Sequence, residues 1–530
     1  MTRIFSIATA LFLAANYARA TSDNPIVDLG QVLAANNGLF STNEWYGIRY
    51  SQSPTGDLRF RAPQDIELTN NYSASEPMDA TSFGPSCVVG IPWAQGTPDS
   101  ISDLPQDEDC LLLNVIAPAS ANASSKLPVM LFIHGGGYAF GNAEIHPGDA
   151  MVHQSDGNMI WVAIQYRLNA FGFLAGAEVS ENGDRNVGLL DQRAGLNWVQ
   201  RHIHQFGGDP AKVTINGGSA GGGSVMSQMI MYGGVASPPF RAVMSEYPWW
   251  QSFRNQSSNE RQYRLLLDTA SCSNIDCLRR LPINKLATAV QSTFNTAYEN
   301  GHYADGDFYF GPSVDGEVIR QLPSQEFKQG HFTRVPLFVN HNALEGYAFS
   351  DQNMAGKEAA LQDVRTLFPN AKESFISRLF DLYPASDFNS TFHQRARWFG
   401  DFIINCPTYY MATAVADYGS PVYKLYFAAG SDLHGAVAPF VKSRNLNGLA
   451  DNSTLSSIMR DYYVSFAVSL DPNAESYTDI PRPYWPTYMG EQNGDFSVLN
   501  VTDSLISVNR DADASPRCDF FHAQSYVVRN

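Results

Sequence analysis

Short, continuous apolar runs alternate along this 530-residue chain with longer stretches whose apolar residues recur at helical spacing. Pro128 to His134 (PVMLFIH) and Met159 to Gln165 (MIWVAIQ) are apolar runs bounded by polar residues, as expected for strands buried on both faces of a parallel sheet. Val213 to Asn216, Ala242 to Met244, Pro336 to Asn340 and Val422 to Phe427 repeat the pattern. Leu189 to Phe206 and Ser224 to Tyr232, lying between such runs, read as helices. Strand and helix in alternation predict an α/β fold with crossover connections. Gln251 to Phe332 reads as a mostly helical insertion over one end of the sheet, and no Pro/Ser/Gly linker divides the chain, so residues 21–530 are expected to form one domain.

The first residues depart from this pattern. MTRIFSIATALFLAANYARA has a basic Arg3, an apolar stretch from Ile4 to Ala15 and an Ala18-Arg19-Ala20 cleavage site, which together predict a secretory signal over residues 1–20 rather than a first core helix. No later run is long enough for a membrane span, so a secreted, extracellular protein without a transmembrane anchor is expected. Sequons at Asn71, Asn122, Asn255, Asn389, Asn452 and Asn500 are glycosylation candidates consistent with that route. The formal charge of −17 becomes two units more negative once Arg3 and Arg19 are removed, and such a surface repels nucleic acid. Cys87, Cys110, Cys272, Cys277, Cys406 and Cys518 form an even set whose pairing the sequence alone leaves open. None has the CxxC spacing of a zinc or redox site.

Candidate chemistry centres on Gly217-Gly218-Ser219-Ala220-Gly221, directly after the strand-like Val213 to Asn216. Small residues at both ends of Gly-x-Ser-x-Gly permit a sharp strand-to-helix turn that lifts the hydroxyl clear, although five small residues also make an ordinary loop. A serine nucleophile needs a base, an orienting acid and donors for an oxyanion. His134-Gly135-Gly136-Gly137-Tyr138 follows a predicted strand, where bare backbone N–H groups could approach a carbonyl oxygen. Glu345-Gly346 and His434-Gly435 each follow a strand-like run, and the order Ser219, Glu345, His434 is that of α/β-hydrolases. Asp315 is the rival acid but reads as a turn residue, and His341 is the rival base but lies close to Glu345. No Gly-x-Gly-x-x-Gly stands at the glycine-rich loop and no Walker A motif occurs in the chain.

Further motifs extend the pattern over most of the chain: Gly47-Ile48-Arg49-Tyr50, Leu58-Arg59-Phe60, Glu108-Asp109-Cys110-Leu111, Tyr166-Arg167-Leu168, Asn186 to Gln192, Phe206-Gly207-Gly208-Asp209-Pro210 and Trp485-Pro486. With these the chain resembles the type-B carboxylesterase/lipase family, which also contains the cholinesterases. The resemblance implies an α/β-hydrolase fold with a large, mostly parallel sheet, hydrolysis of carboxylic esters, no cofactor and no metal. It implies Ser219 as nucleophile, His434 as base and then acid, Glu345 as orienting acid, and Gly136, Gly137 and Ala220 as the oxyanion hole. It further implies structural ion pairs Arg59–Glu108 and Arg167–Asp191, and disulfides Cys87–Cys110, Cys272–Cys277 and Cys406–Cys518. Two departures stand out. The family has Glu or Gln where this chain has Gly218, and Gln-Ser-Gly where it has Ser245-Glu246-Tyr247. Glu246 is therefore expected to replace the carboxylate lost at Gly218 and to support His434 as imidazolium.

The loop between Cys87 and Cys110, where the family carries its lid, is short and offers little apolar cover. Pro248-Trp249-Trp250 falls where relatives build the acyl pocket, so Trp249 and Trp250 are candidate pocket residues. These features favour an esterase for short or medium acyl chains over a triacylglycerol or sterol-ester lipase. Trp93 does not stand where a choline-binding tryptophan is expected. The competing class is a non-catalytic binding or adhesion module on the same fold, which the presence of all three candidate residues and the oxyanion glycines argues against.

Overall fold

The structure is a computed structural model that describes residues 26–27, 30–37, 40–69, 77–94, 105–444, 452–489 and 496–530. The proposed signal, sequon Asn71 and part of the Cys87–Cys110 loop lie outside the described residues. The strands of the main sheet are β1 (Ala35–Asn37), β2 (Thr42–Arg49), β3 (Leu112–Pro118), β4 (Leu127–Ile133), β5 (Ile160–Ile164), β6 (Gly208–Gly218), β7 (Ala242–Glu246), β8 (Leu337–Asn342), β9 (Val422–Ala428), β10 (Ser497–Thr502) and β11 (Ile506–Arg510). Their spatial order is β11-β10-β9-β8-β7-β6-β4-β5-β3-β2-β1. All pairings from β5 through β10 are parallel, while β1, β2, β3 and β11 pair antiparallel at the margins. The apolar runs read from sequence form the centre of this sheet, and Val129 to Ile133 and Ile160 to Ile164 are no more than 2% exposed. Strands covered by helices on both faces need no polar alternation, which explains their uniform composition.

Helices α1 (Val187–His202), α2 (Ala220–Ile230), α3 (Gln256–Thr269), α4 (Ile283–Glu299), α5 (Ala438–Lys442) and α6 (Ser453–Ser469) are among those flanking or capping the sheet. The expected insertion is helical as far as Glu299, then irregular up to the short helix Pro323–Lys328. A second helical excursion, between β8 and β9, was not marked by the strand and helix pattern; it includes Gly356–Leu367, Glu373–Leu382, Thr391–Gly400 and Cys406–Asp417. Asn255 and Asn452, two of the sequon residues, also cap α3 and α6, accepting from Ser258 N at 2.9 Å and Leu455 N at 3.1 Å.

Cross-links agree with the pairings implied by resemblance: Cys87–Cys110, Cys272–Cys277 and Cys406–Cys518 are bonded. Arg59 Nε donates to Glu108 Oε1 at 2.6 Å. Arg167 forks onto Asp191, with Nε to Oδ2 at 2.8 Å and Nη2 to Oδ1 at 2.6 Å, and its backbone N–H also donates to Oδ2. Both side chains are buried, so the pair locks the end of β5 to α1 in a place that water cannot compensate. Asp191→Ala strands the Arg167 guanidinium there and is expected to lower unfolding stability by about 3–5 kcal/mol. Urea denaturation reads this directly; a loss below about 1 kcal/mol, the range of exposed pairs, would show that the guanidinium is resolvated.

Candidate active site

Parallel register brings the candidate residues to one edge. Ile133 is level with Gly217, Glu246 with both Gly218 and Asn340, and His341 with Tyr426. The chain leaves each of these strands at its carboxyl end, the edge where open α/β sheets hold their ligands.

Ser219 sits between β6 and α2 with φ 59° and ψ −126°, a conformation a non-glycine residue adopts only when its surroundings force it. The forcing is steric. A Cβ on Gly221 would lie 2.1 Å from the Ile133 carbonyl oxygen, so the turn closes only with glycine there. Ser219 N–H donates to the Glu246 carbonyl at 3.1 Å, and the Ser219 carbonyl accepts from Gly223 N–H and Trp249 N–H, both at 2.9 Å. The glycine-rich loop lies directly on this turn: a Cβ on Gly135 would meet Gly218 O at 2.7 Å and Ser219 Cβ at 3.0 Å. Gly136 and Gly137 have φ of 104° and 61°, which favour glycine. Ala220 opens α2, where N–H groups have no intrahelical acceptor. His134 anchors the loop from below, its ring stacked on Tyr166 at 4.4 Å, and burial pushes its imidazole down to about 4, so it is neutral.

His434 and Glu345 meet from different connections. His434 Nδ1 lies 2.5 Å from Glu345 Oε2. The other carboxylate oxygen accepts from Asn342 N at 2.5 Å and Asn342 Nδ2 at 2.8 Å. Asn342 Oδ1 in turn accepts from Val437 N–H at 3.1 Å, so one amide holds both the acid and the histidine's loop. The carboxylate is fully buried and the imidazole side chain is 11% exposed. Edge-on rings surround the histidine: Phe349 at 4.8 Å, Tyr247 at 5.0 Å and Trp249 at 6.1 Å. Its Nε2 has no hydrogen-bond partner among the described residues.

The rivals are engaged elsewhere. Asp315 closes a turn, accepting from Glu317 N–H and Ile319 N–H at 2.8 and 3.0 Å. His341 Nε2 lies 2.7 Å from Asp513 Oδ2, within a buried cluster that includes Lys424.

Two expectations need correction. Glu246 makes no hydrogen bond to His434; Oε1 pairs with Lys442 and accepts from Asn216 Nδ2 at 2.7 Å, and Oε2 accepts from Tyr463 Oη at 3.0 Å. The carboxylate is therefore committed to a buried ammonium. Space beside Gly218 is instead filled by Tyr247: a Cβ on Gly218 would lie 2.3 Å from Tyr247 Oη. The two departures from the pattern that the resemblance implies thus meet in one place, where glycine before the serine leaves the space that the Tyr247 ring fills. The second correction concerns Trp250, which stacks on Phe327 at 5.6 Å rather than on the rings around the histidine. Trp249 faces the site, against Phe349 at 4.6 Å and Phe308 at 5.4 Å. Trp93 joins the same cluster through Phe308 at 5.0 Å.

Sequence reasoning missed Tyr247, Asn342, Phe308, Phe349 and Lys442. Lys442 carried a signal, being the one cation in the apolar run Ala436 to Lys442. Among the described residues no group of His, Cys, Asp and Glu could hold a metal ion.

The model of the carboxylesterase family matches residues 27–520. Carboxylesterase patB of Aspergillus clavatus is 29% identical, with 97% of this chain and 98% of that protein covered. Lipase 5 of Diutina rugosa is 32% identical over 72% of each chain, and secreted triacylglycerol lipase LIP1 of Gibberella zeae is 29% identical over 88% of this chain and 85% of its own. The crystal structure of Aspergillus niger EstA superposes with a TM-score of 0.83 at 27% identity, covering 96% of this chain and 99% of its own.

Gly218→Glu drives a side chain into the Tyr247 ring and is expected to cost about 1–3 kcal/mol. Thermal unfolding of Gly218→Glu beside the double variant Gly218→Glu/Tyr247→Gly tests this, the double variant recovering most of the loss. Equal melting temperatures for the parent and Gly218→Glu would mean that the ring yields freely.

Proposed function

As the chain belongs to the carboxylesterase family and is a carboxylic ester hydrolase, we propose that Ser219, His434 and Glu345 carry the reaction through an acyl-enzyme. The single observation that carries this reading is the His434–Glu345 hydrogen bond, at the same sheet edge as a serine held at positive φ against Gly135 of the glycine-rich loop. In this reading Ser219 Oγ attacks the ester carbonyl carbon while His434 Nε2 takes its proton. The N–H groups of Gly136, Gly137 and Ala220 donate to the oxyanion as the carbonyl becomes tetrahedral. Glu345 faces the Nδ1–H of the imidazolium, and Asn342 keeps the carboxylate turned toward it. Collapse expels the alcohol, which leaves with the proton from His434, and water then repeats the sequence to release the acid.

The substrate proposed is an ester of a short to medium acyl chain. Trp249, Phe308 and Phe349 pack against one another and against His434 and the oxyanion loop, where a Cβ on Gly137 would already lie 2.0 Å from Phe308 Cε1. In this reading the rings crowd the acyl side of the site and favour a short or medium chain. We also propose that residues 1–20 direct secretion and are removed, leaving residues 21–530 as one extracellular domain. The secreted lipase relative is consistent with that route, and among the described residues no helix is long and apolar enough to cross a membrane.

An organophosphonate is expected to label the folded protein stoichiometrically at Ser219, and Ser219→Ala is expected to lose label and esterase activity together. An unlabelled, folded parent would favour a binding module. Across p-nitrophenyl esters, kcat/KM is expected to peak at short or medium chains; a jump in rate at the micellar interface with long-chain esters would make the protein a lipase.

A further inference from the structure

Glu246 and Lys442 form a wholly buried ion pair, their side chains 0% and 2% exposed, and no chemical step above uses it. Each partner stands where segments of the proposed site join. Glu246 ends β7, and its main-chain carbonyl holds Ser219 N–H at 3.1 Å. Its side chain accepts from Asn216 of β6 and from Tyr463 Oη of α6. That hydroxyl also accepts from Asn340 Nδ2 at 2.8 Å, two residues before the Asn342 that grips Glu345. Lys442 closes α5, in the same connection from β9 that carries His434. Its ammonium also lies 4.8 Å from the centre of the Phe132 ring on β4, the strand that runs into Gly135, Gly136 and Gly137.

We propose that the Glu246–Lys442 pair is a positioning clamp: it fixes the loop bearing His434 against the turn bearing Ser219 and the strand bearing the oxyanion glycines. This rests on the roles proposed above for those residues. Apolar residues of similar volume would fill the same space with equal or greater stability. What an ion pair adds is direction, because the ammonium must meet the carboxylate at one place. Burial holds Lys442 below the ordinary lysine range against the pull of Glu246, the acid that compensates this cation among the described residues. The titratable neighbours are Tyr463 and Tyr247 on the Glu246 side and His146 on the Lys442 side, where burial and then Lys442 push the His146 imidazole well below its ordinary range. Reactions of this kind are sensitive to position, and a displacement of 1 Å is worth about 100-fold in rate.

The test replaces both charges with apolar side chains of similar length, Glu246→Met/Lys442→Met, and a second version, Glu246→Gln/Lys442→Met, guards against misfolding of the first. Thermal unfolding, kcat and KM for p-nitrophenyl butyrate and the acid limb of kcat/KM are measured for each. The clamp predicts a melting temperature close to the parent's, KM within about twofold, an unmoved acid limb and kcat reduced at least about tenfold. Glu246→Gln alone, which keeps an acceptor for Lys442, should retain most of kcat. A folded double variant with kcat within about twofold of the parent overturns the clamp and makes the pair merely structural. A lowered kcat with an acid limb moved by about a unit overturns it differently, assigning Glu246 an electrostatic role. Failure of the underlying reading is distinct: it is an unlabelled Ser219 in the parent, before any substitution of the pair.

Discussion

Parallel pairing in register is the constraint on which this molecule depends. From β5 to β10 every strand runs the same way, so every connection after a carboxyl end begins at the same edge of the sheet. Ser219, Glu345 and His434 are far apart in the chain and share no local motif, yet each follows the end of a strand from this set. A single strand reversed or slipped by one residue would remove its connection from that edge or turn its side chains to the other face.

Crowding supplies the next level of control. The serine turn, the glycine-rich loop and the end of β7 approach closely enough that several Cβ atoms would collide, and Ser219 is held in its conformation by that contact and by three main-chain hydrogen bonds. The histidine is treated differently. Rings of Tyr247, Trp249 and Phe349 enclose it edge-on, and only Nδ1 is tied, through Glu345 to Asn342. A fixed nucleophile turn beside an imidazole with one engaged nitrogen suits a base that must take a proton and return it.

The central strands were legible because burial on both faces leaves an unbroken apolar run, as in Leu127–Ile133. The serine turn and glycine loop were legible because close backbone approach demands glycine, a requirement written in the residue type itself. Of the helices between β8 and β9, Cys406–Asp417 packs on those two strands and Gly356–Leu367 and Thr391–Gly400 pack on each other, an arrangement that the alternation of strand and helix did not mark. Glu246 was read correctly as unusual but assigned the wrong partner: its cation, Lys442, lies 196 residues away, and no local pattern reports that distance. The two tryptophans show the same limit, because adjacency in sequence says nothing about which of Trp249 and Trp250 turns inward to the histidine.

The contact between Gly218 and Tyr247 makes each residue a condition on the other. With the ring in place, position 218 has no room for a Cβ, so any residue but glycine there requires the ring to shift or be lost. A residue type in the serine turn is thus set by a side chain on a different connection, and the two positions form one unit of tolerance to substitution.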